Sequence, residues 1–231
     1  MKRVLIVLGF MILAIPLQNC KGQSETESGD AYSYKKGDSN GIGKWYMGRE
    51  IAHVMGFQGI SWLERPEREA EENTTTLLRN MAIQAGDTIA DIGSGSGYHV
   101  FKMAAIAEEG QIYAVDIQDE MLSAIQHKKQ KTAISNISTI KGSAKSVNLP
   151  ENSVDKVLMV DVYHEFDHPA EMIASIKSAL RSNGKIYLIE YRGEDTAVPI
   201  KKIHKMTEQQ AVAEMEAAGF KLEVTIDNLP W

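Results

Sequence analysis

The segment Ile89-Ala90-Asp91-Ile92-Gly93-Ser94-Gly95-Ser96-Gly97 joins an apolar run to an acid and then to glycines at every second position. Without Cβ atoms such a turn lets a ligand approach the backbone closely, and a helix that starts behind it offers free N–H groups. A dinucleotide site needs another spacing. Counted from Gly95, the third glycine of GxGxxG falls on Val100, so the nicotinamide fingerprint is not met. Asp116 closes the next apolar run, where a carboxylate can accept two hydrogen bonds from ribose hydroxyls. Further on stands Asp161-Val162-Tyr163-His164-Glu165-Phe166. The ordinary pKa of histidine lies near neutrality, which makes His164 the candidate general base, with Asp161 or Glu165 to orient it. The alternative is a histidine that only packs or hydrogen-bonds its loop. His204 and the other histidines show no metal-ligand spacing with cysteine, so no metal centre is expected.

These residues need rigid elements to position them. Pro66 suits a first helical turn, and Leu77, Leu78 and Met81 recur toward Ala82, which predicts one helix stopped near Gly86. The period then changes. Strands are predicted at Thr88 to Ile92, Gln111 to Asp116, Ile137 to Lys141, Val154 to Asp161 and Lys185 to Tyr191, with a last one at Phe220 to Ile226. Between them fall helices at Tyr98 to Ala107, Asp119 to Lys131 and Pro169 to Arg181, and one that Thr207 and Gln210 open at capping-box spacing and that runs to Ala218. Such alternation predicts an α/β fold, a doubly wound and mostly parallel sheet with helices on both faces.

Together with Gly142-Ser143-Ala144 and the stretch Leu149 to Asp155, the glycine turn and Asp116 resemble the Rossmann-like class I S-adenosylmethionine-dependent methyltransferases of the type 11/25-like group, over about Gly86 to Ile226. The resemblance implies that S-adenosyl-L-methionine is the cofactor. Gly93, Gly95 and Gly97 would wrap its methionine part, Asp91 would hold the amino group, and Asp116 the ribose. Ile117 would cover the adenine, and Ser143 and Ala144 would line its edge; many members carry Asp where Ser143 stands. The segments Tyr46 to Glu50, Met55 to Gly59 and Trp62 to Arg68 look like the N-terminal signature of a bacterial subgroup of these enzymes. That makes Tyr46, Arg49, His53 and Trp62 candidates for a lid over the cofactor, with Tyr46 and Trp62 alternatively anchors of this segment on the sheet. The family also leads one to expect a seventh, antiparallel strand after Phe220 to Ile226, which the residues present do not supply.

The net charge of −6, with no basic run beyond Lys128 to Lys131, speaks against nucleic acid as substrate and leaves a small-molecule acceptor as the expectation. No protein partner is indicated. With 43% hydrophobic residues in 231, one core is expected. The chain divides into a signal-type segment 1–20, a flexible linker 21–40, an N-terminal helical lid segment 41–85 and the cofactor-binding domain 86–231. Lys2 and Arg3 precede the apolar stretch Val4 to Leu17, and Cys20, the single cysteine, stands where a bacterial lipoprotein signal places its lipidated thiol. This predicts export and membrane attachment, whereas the supply of S-adenosylmethionine argues for the cytoplasmic side.

Three functions fit this reading: a methyltransferase, a non-catalytic lipoprotein that keeps the cofactor pocket, and a nicotinamide-dependent oxidoreductase, which the glycine spacing disfavours.

Overall fold

The computed structural model describes residues 31–231. The signal-type segment, Cys20 and the first part of the predicted linker lie outside the described residues. Among the described residues no helix is long and apolar enough to cross a membrane.

The fold begins with an antiparallel meander of three strands, β1 (Tyr32–Tyr34), β2 (Gly41–Tyr46) and β3 (Arg49–Ala52). Met47 and Gly48 join β2 to β3 with positive φ at both positions, 46° and 93°, the requirement of the tight hairpin turn that matches strand twist. The expectation of a purely helical lid over 41–85 is thereby corrected, and the end of the predicted linker forms β1. The reason is cooperative. Each strand here is only three to six residues long and becomes a strand only by pairing with its neighbour.

Short helices follow: α1 (Ile60–Leu63), α2 (Arg68–Glu72) and α3 (Thr74–Asn80). The single helix predicted from Pro66 is two. Asn73 adopts a left-handed conformation at φ 50° that ends α2, and its side chain accepts the amide of Thr76 to open α3. Asn tolerates both roles better than most side chains.

The main sheet contains β4 (Thr88–Ile92), β5 (Gln111–Asp116), β6 (Ile137–Lys141), β7 (Val154–Val160) and β8 (Leu180–Ile189), all parallel, in the order β6-β5-β4-β7-β8. The intervening helices are α4 (Tyr98–Ile106), α5 (Asp119–Gln130), α6 (Pro169–Ala179) and α7 (Glu208–Ala217). Strand side chains alternate between two cores. Val157 and Met159 face one with Ile173 and Ile176 of α6, whereas Leu158 faces the other with Val100 and Met103 of α4 and Ile125 of α5. Burial on both faces is what a parallel sheet requires.

The chain leaves β6 to return on the far side of β4, so β4 and β7 flank the switch in strand order. In open α/β sheets the crevice at the carboxyl ends of those strands is where ligands bind. Three strands, β4, β5 and β6, have the predicted bounds, but the predicted strand Phe220 to Ile226 does not form. Beyond the Phe220 amide, which donates to the Met215 carbonyl of α7 at 3.0 Å, that stretch is tied by side chains: Lys185 pairs with Glu223 at 2.6 Å and Thr225 donates to Glu208 at 2.8 Å. Leu222, Val224 and Ile226 remain exposed. Alternating sequence supplies propensity for a strand; without a backbone ladder to join, it stays irregular.

Candidate active site

The carboxyl ends of β4, β5 and β7 open into one cavity of about 510 Å³. Its floor is the glycine turn. Gly93 has φ 71°, and a Cβ there would lie 2.3 Å from Cγ2 of Val162, so the turns that follow β4 and β7 approach too closely for any side chain. Gly95 also lines the cavity, at φ 51°. Gly97 does not. A Cβ on it would meet Ile125 and Phe101 at 2.9 and 3.1 Å, so it permits close packing of α4 on α5.

Two carboxylates frame the turn. Asp116 Oδ2 accepts the Gly95 amide at 2.9 Å and Oδ1 accepts the Gln118 amide at 2.8 Å, leaving a second lone pair on each oxygen for a ligand. Burial raises its pKa against the lowering effect of these amides. Asp91, 2% exposed at the end of β4, keeps Oδ2 without a hydrogen-bond partner, and the hydroxyls of Ser94 and Ser96 are orphaned beside it. Burial pushes the Asp91 carboxyl up to about 7; Arg68 opposes this and Asp116 adds to it. Buried polar atoms without partners are rare and costly, and here they face a cavity. An ammonium group at Asp91 and a diol at Asp116 would satisfy the two carboxylates. These are the chemical features of S-adenosyl-L-methionine, so the donor set and the glycine cradle fit the cofactor. Ile117, Ser143 and Ala144 line the same space, with Ile117 44% exposed and available to cover a base.

The roof comes from the N-terminal segment. Gln118 donates to the carbonyl of Met55 at 2.9 Å and accepts the amide of Phe57 at 2.8 Å, while Glu165 Oε1 accepts the Met55 amide at 3.0 Å. Val54, Met55, Trp62 and Leu63 therefore line the cavity. Of the four lid candidates only Trp62 does so, stacked under Arg65 at 3.8 Å. Tyr46 is buried in the meander against Tyr32, Arg49 forms a buried ion pair with Glu214 at 2.7 Å, and His53 is exposed.

Asp161, Glu165 and His204 form a further wall of the same cavity. Asp161 adopts φ 52°, unusual for a residue with a side chain, and its buried Oδ1 makes no hydrogen bond and stands 3.9 Å from His164 Nδ1. Burial pushes its carboxyl up to about 8, with Glu190 and Glu165 adding to this and His164 opposing it. His164 is 2% exposed and lies behind this wall, outside the cavity lining. Its Nδ1 is 2.7 Å from Glu190 Oε2 and its Nε2 is 3.0 Å from His204 Nδ1. Burial works against its charge, but Glu190, Asp161 and Glu165 outweigh that and push the imidazole up to about 9. His204 moves the other way, to about 4, through burial and the neighbouring His164. Sequence reading singled out His164 and missed His204 and Glu190, which lie 40 and 26 residues from it along the chain. Spacing with cysteine gave no sign of a metal-ligand set, yet folding brings ligand atoms of His164, Glu165 and His204 within 4.8 Å of one another.

A doubly wound parallel sheet with a glycine turn, two strand-end carboxylates and a roofed cavity at its switch point is the architecture of the class I S-adenosyl-L-methionine-dependent methyltransferases. Residues 83–227 match the family described as "Methyltransferase domain", and the chain belongs to that family. It is similar to the "Uncharacterized methyltransferase YdaC" of Bacillus subtilis (strain 168), 28% identical over 165 residues that cover 69% of this chain and 88% of the relative. It is also similar to the demethylmenaquinone methyltransferase of Oceanobacillus iheyensis, 25% identical over 114 residues, 49% of this chain and 48% of that one. Among solved structures, a SAM-dependent methyltransferase from Aquifex aeolicus shares the fold with a TM-score of 0.70 at 23% identity, covering 74% of this chain and 92% of that chain.

Proposed function

We propose that this enzyme methylates a small-molecule acceptor held between the cofactor and the wall of Asp161, Glu165 and His204. One observation carries the reading: these side chains line the same cavity as Asp91, Gly93 and Asp116. Its volume is in the range of small-molecule sites. The bound cofactor supplies an electrophilic methyl group, and the electron pair of the broken carbon–sulfur bond stays on sulfur. The protein's task is to align the acceptor and exclude water. Asp91 and Asp116 fix one end, and the Met55 to Leu63 roof shuts out solvent. Asp161, whose buried Oδ1 makes no hydrogen bond, takes the proton that the acceptor loses. His164 acts behind the wall as a positioning residue, set by Glu190 and reaching the cavity through His204.

The test is methyl transfer from labelled S-adenosyl-L-methionine to a panel of phenols, hydroxy acids, thiols and quinols. Asp161→Asn should lower kcat at least tenfold with cofactor affinity unchanged. Cofactor binding with no turnover across the panel would instead favour a non-catalytic binding protein.

The N-terminal proposal is separate and rests on sequence: Lys2 to Leu17 act as an export signal, and a lipid on Cys20 attaches the protein to the membrane. Cys20→Ser should move the protein from the membrane to the soluble fraction; retention in the membrane would sink the lipid anchor.

A further inference from the structure

The three side chains His164, Glu165 and His204 converge from two short turns. Tyr163–Glu165 forms one 3-10 turn directly after β7, and Lys202–His204 forms another. Their ligand atoms make a triangle: His164 Nε2 to His204 Nδ1 is 3.0 Å, His164 Nε2 to Glu165 Oε1 3.9 Å, and His204 Nδ1 to Glu165 Oε1 3.7 Å. Ligands at about 2.0–2.2 Å from a tetrahedral zinc-class ion stand about 3.4 Å apart, and the three distances bracket that value. The rings are nearly perpendicular, at 89°, so their nitrogens converge without stacking. A hydrogen bond between the two imidazoles accounts for the 3.0 Å contact alone. Glu165 is left at ion-pair range from both rings, and a central cation would engage all three groups.

The surroundings have the form that metal-bound histidines commonly show. Ligating imidazoles usually donate their other N–H to a carboxylate, which fixes tautomer and orientation. His164 Nδ1 faces Glu190 Oε2 at 2.7 Å, and the backbone carbonyl of His164 is held by Arg49 at 3.2 Å. The alternative triad Asp161, His164 and Glu190 would use that same nitrogen, which the Glu190 hydrogen bond already occupies. On the other side of the triangle, Glu165 and His204 face the cavity. Three protein ligands with one open side is the pattern of catalytic sites, where structural sites are closed by four.

Resting on the methyltransferase reading for its second half, we propose that His164, Glu165 and His204 bind one divalent transition-metal ion of the zinc class, and that the methyl acceptor is a small molecule that coordinates this ion through its nucleophilic oxygen or sulfur. As a Lewis acid the ion would lower the acceptor's pKa, so that the acceptor would give its proton to Asp161, in the same cavity, before attack and be oriented toward the methyl group. Two imidazoles and one carboxylate suit zinc, cobalt, iron or manganese better than calcium or magnesium.

The full-length protein, stripped with a chelator, is dialysed against Zn²⁺ and against Co²⁺, and bound metal is counted. One equivalent per chain is expected, with the intense visible bands of four-coordinate Co²⁺. His204→Ala and Glu165→Gln should each weaken binding at least tenfold with circular dichroism unchanged; the near-isosteric Glu165→Gln decides the matter if His204→Ala does not fold. His53→Ala, at an exposed histidine outside the cavity, should bind as the parent does. Less than one equivalent, or binding that neither variant weakens, overturns the site. Titration of S-adenosyl-L-methionine into the same samples separates the two readings. Cofactor binding without metal removes only the metal site, and metal binding without cofactor overturns the assignment of the acceptor.

Discussion

Asp116 Oδ2 accepts the backbone amide of Gly95 at 2.9 Å, so the carboxylate that ends β5 and the turn that ends β4 form one unit. Its other oxygen caps the amide of Gln118, whose side chain holds the roof at Met55 and Phe57. One side chain therefore ties floor and roof to the place where a ribose would bind. Asp116→Ala removes the ligand contact and orphans two amides. Hydrogen bonds to a charged group contribute about 1.5–3 kcal/mol, which corresponds to roughly 10- to 150-fold in Kd. Calorimetric titration should show cofactor affinity falling by that factor, with Asp116→Asn losing less because it keeps one acceptor oxygen. Equal affinity in Asp116→Ala and parent would remove Asp116 from the site.

Asp91 gives the site a pH dependence whose sign can be worked out. Its carboxyl is raised from 3.8 to about 7, chiefly by burial. A raised folded pKa means that its contribution to stability is complete below pH 3.8 and is lost as pH rises through about 7. The cofactor's ammonium favours the ionised form, so binding below about pH 7 releases a proton, and affinity there should rise up to about tenfold per pH unit and then level off. Titrations in buffers of different ionisation enthalpy would count that proton. Asp91→Asn should bind weakly at every pH and flatten the curve; a flat curve in the parent would contradict the ammonium contact.

The parts of this architecture that local chemistry dictates were legible before the structure. Strands β4, β5 and β6 are short apolar runs punctuated by Gly86, Gly110 and Gly142 or by acids, and their bounds follow from residues within a few positions. The meander was not legible, because its turn uses Met47 where Asn or Asp would advertise positive φ. Nor was the fate of Phe220 to Ile226, since alternation states which residues can form a strand and leaves the partner open. The site divides in the same way. Asp91, Gly93, Gly95 and Asp116 sit on contiguous motifs, whereas Glu190 and His204 reach His164 only through the return of the chain along β8. Arg49 was placed over the cofactor by type, and the fold uses it as a brace.

That brace is the most severe test of how the N-terminal meander is fixed to the catalytic domain. Arg49 Nε and Nη2 donate to Glu214 of α7 at 2.7 and 3.0 Å, and Nη1 donates to the carbonyl of His164 at 3.2 Å. Glu214 is fully enclosed and also accepts from Tyr163 at 2.7 Å and Gln210 at 2.7 Å. Removing one member of a buried ion pair leaves the other charge uncompensated, which costs about 3–5 kcal/mol, whereas replacing both with apolar groups is often neutral. Denaturant unfolding of Arg49→Ala should show a loss of that size, and the double variant Arg49→Met/Glu214→Leu should recover part of it, the remainder being the buried Tyr163 hydroxyl left without its acceptor. Because neither residue lines the cavity, the double variant should keep cofactor affinity. It should still lower kcat, since the His164 carbonyl loses its donor and the wall that faces the acceptor loosens. Unchanged stability in Arg49→Ala would mean that the pair is solvated and that the meander is held by its other contacts, among them Lys44 with Asp167 at 3.1 Å.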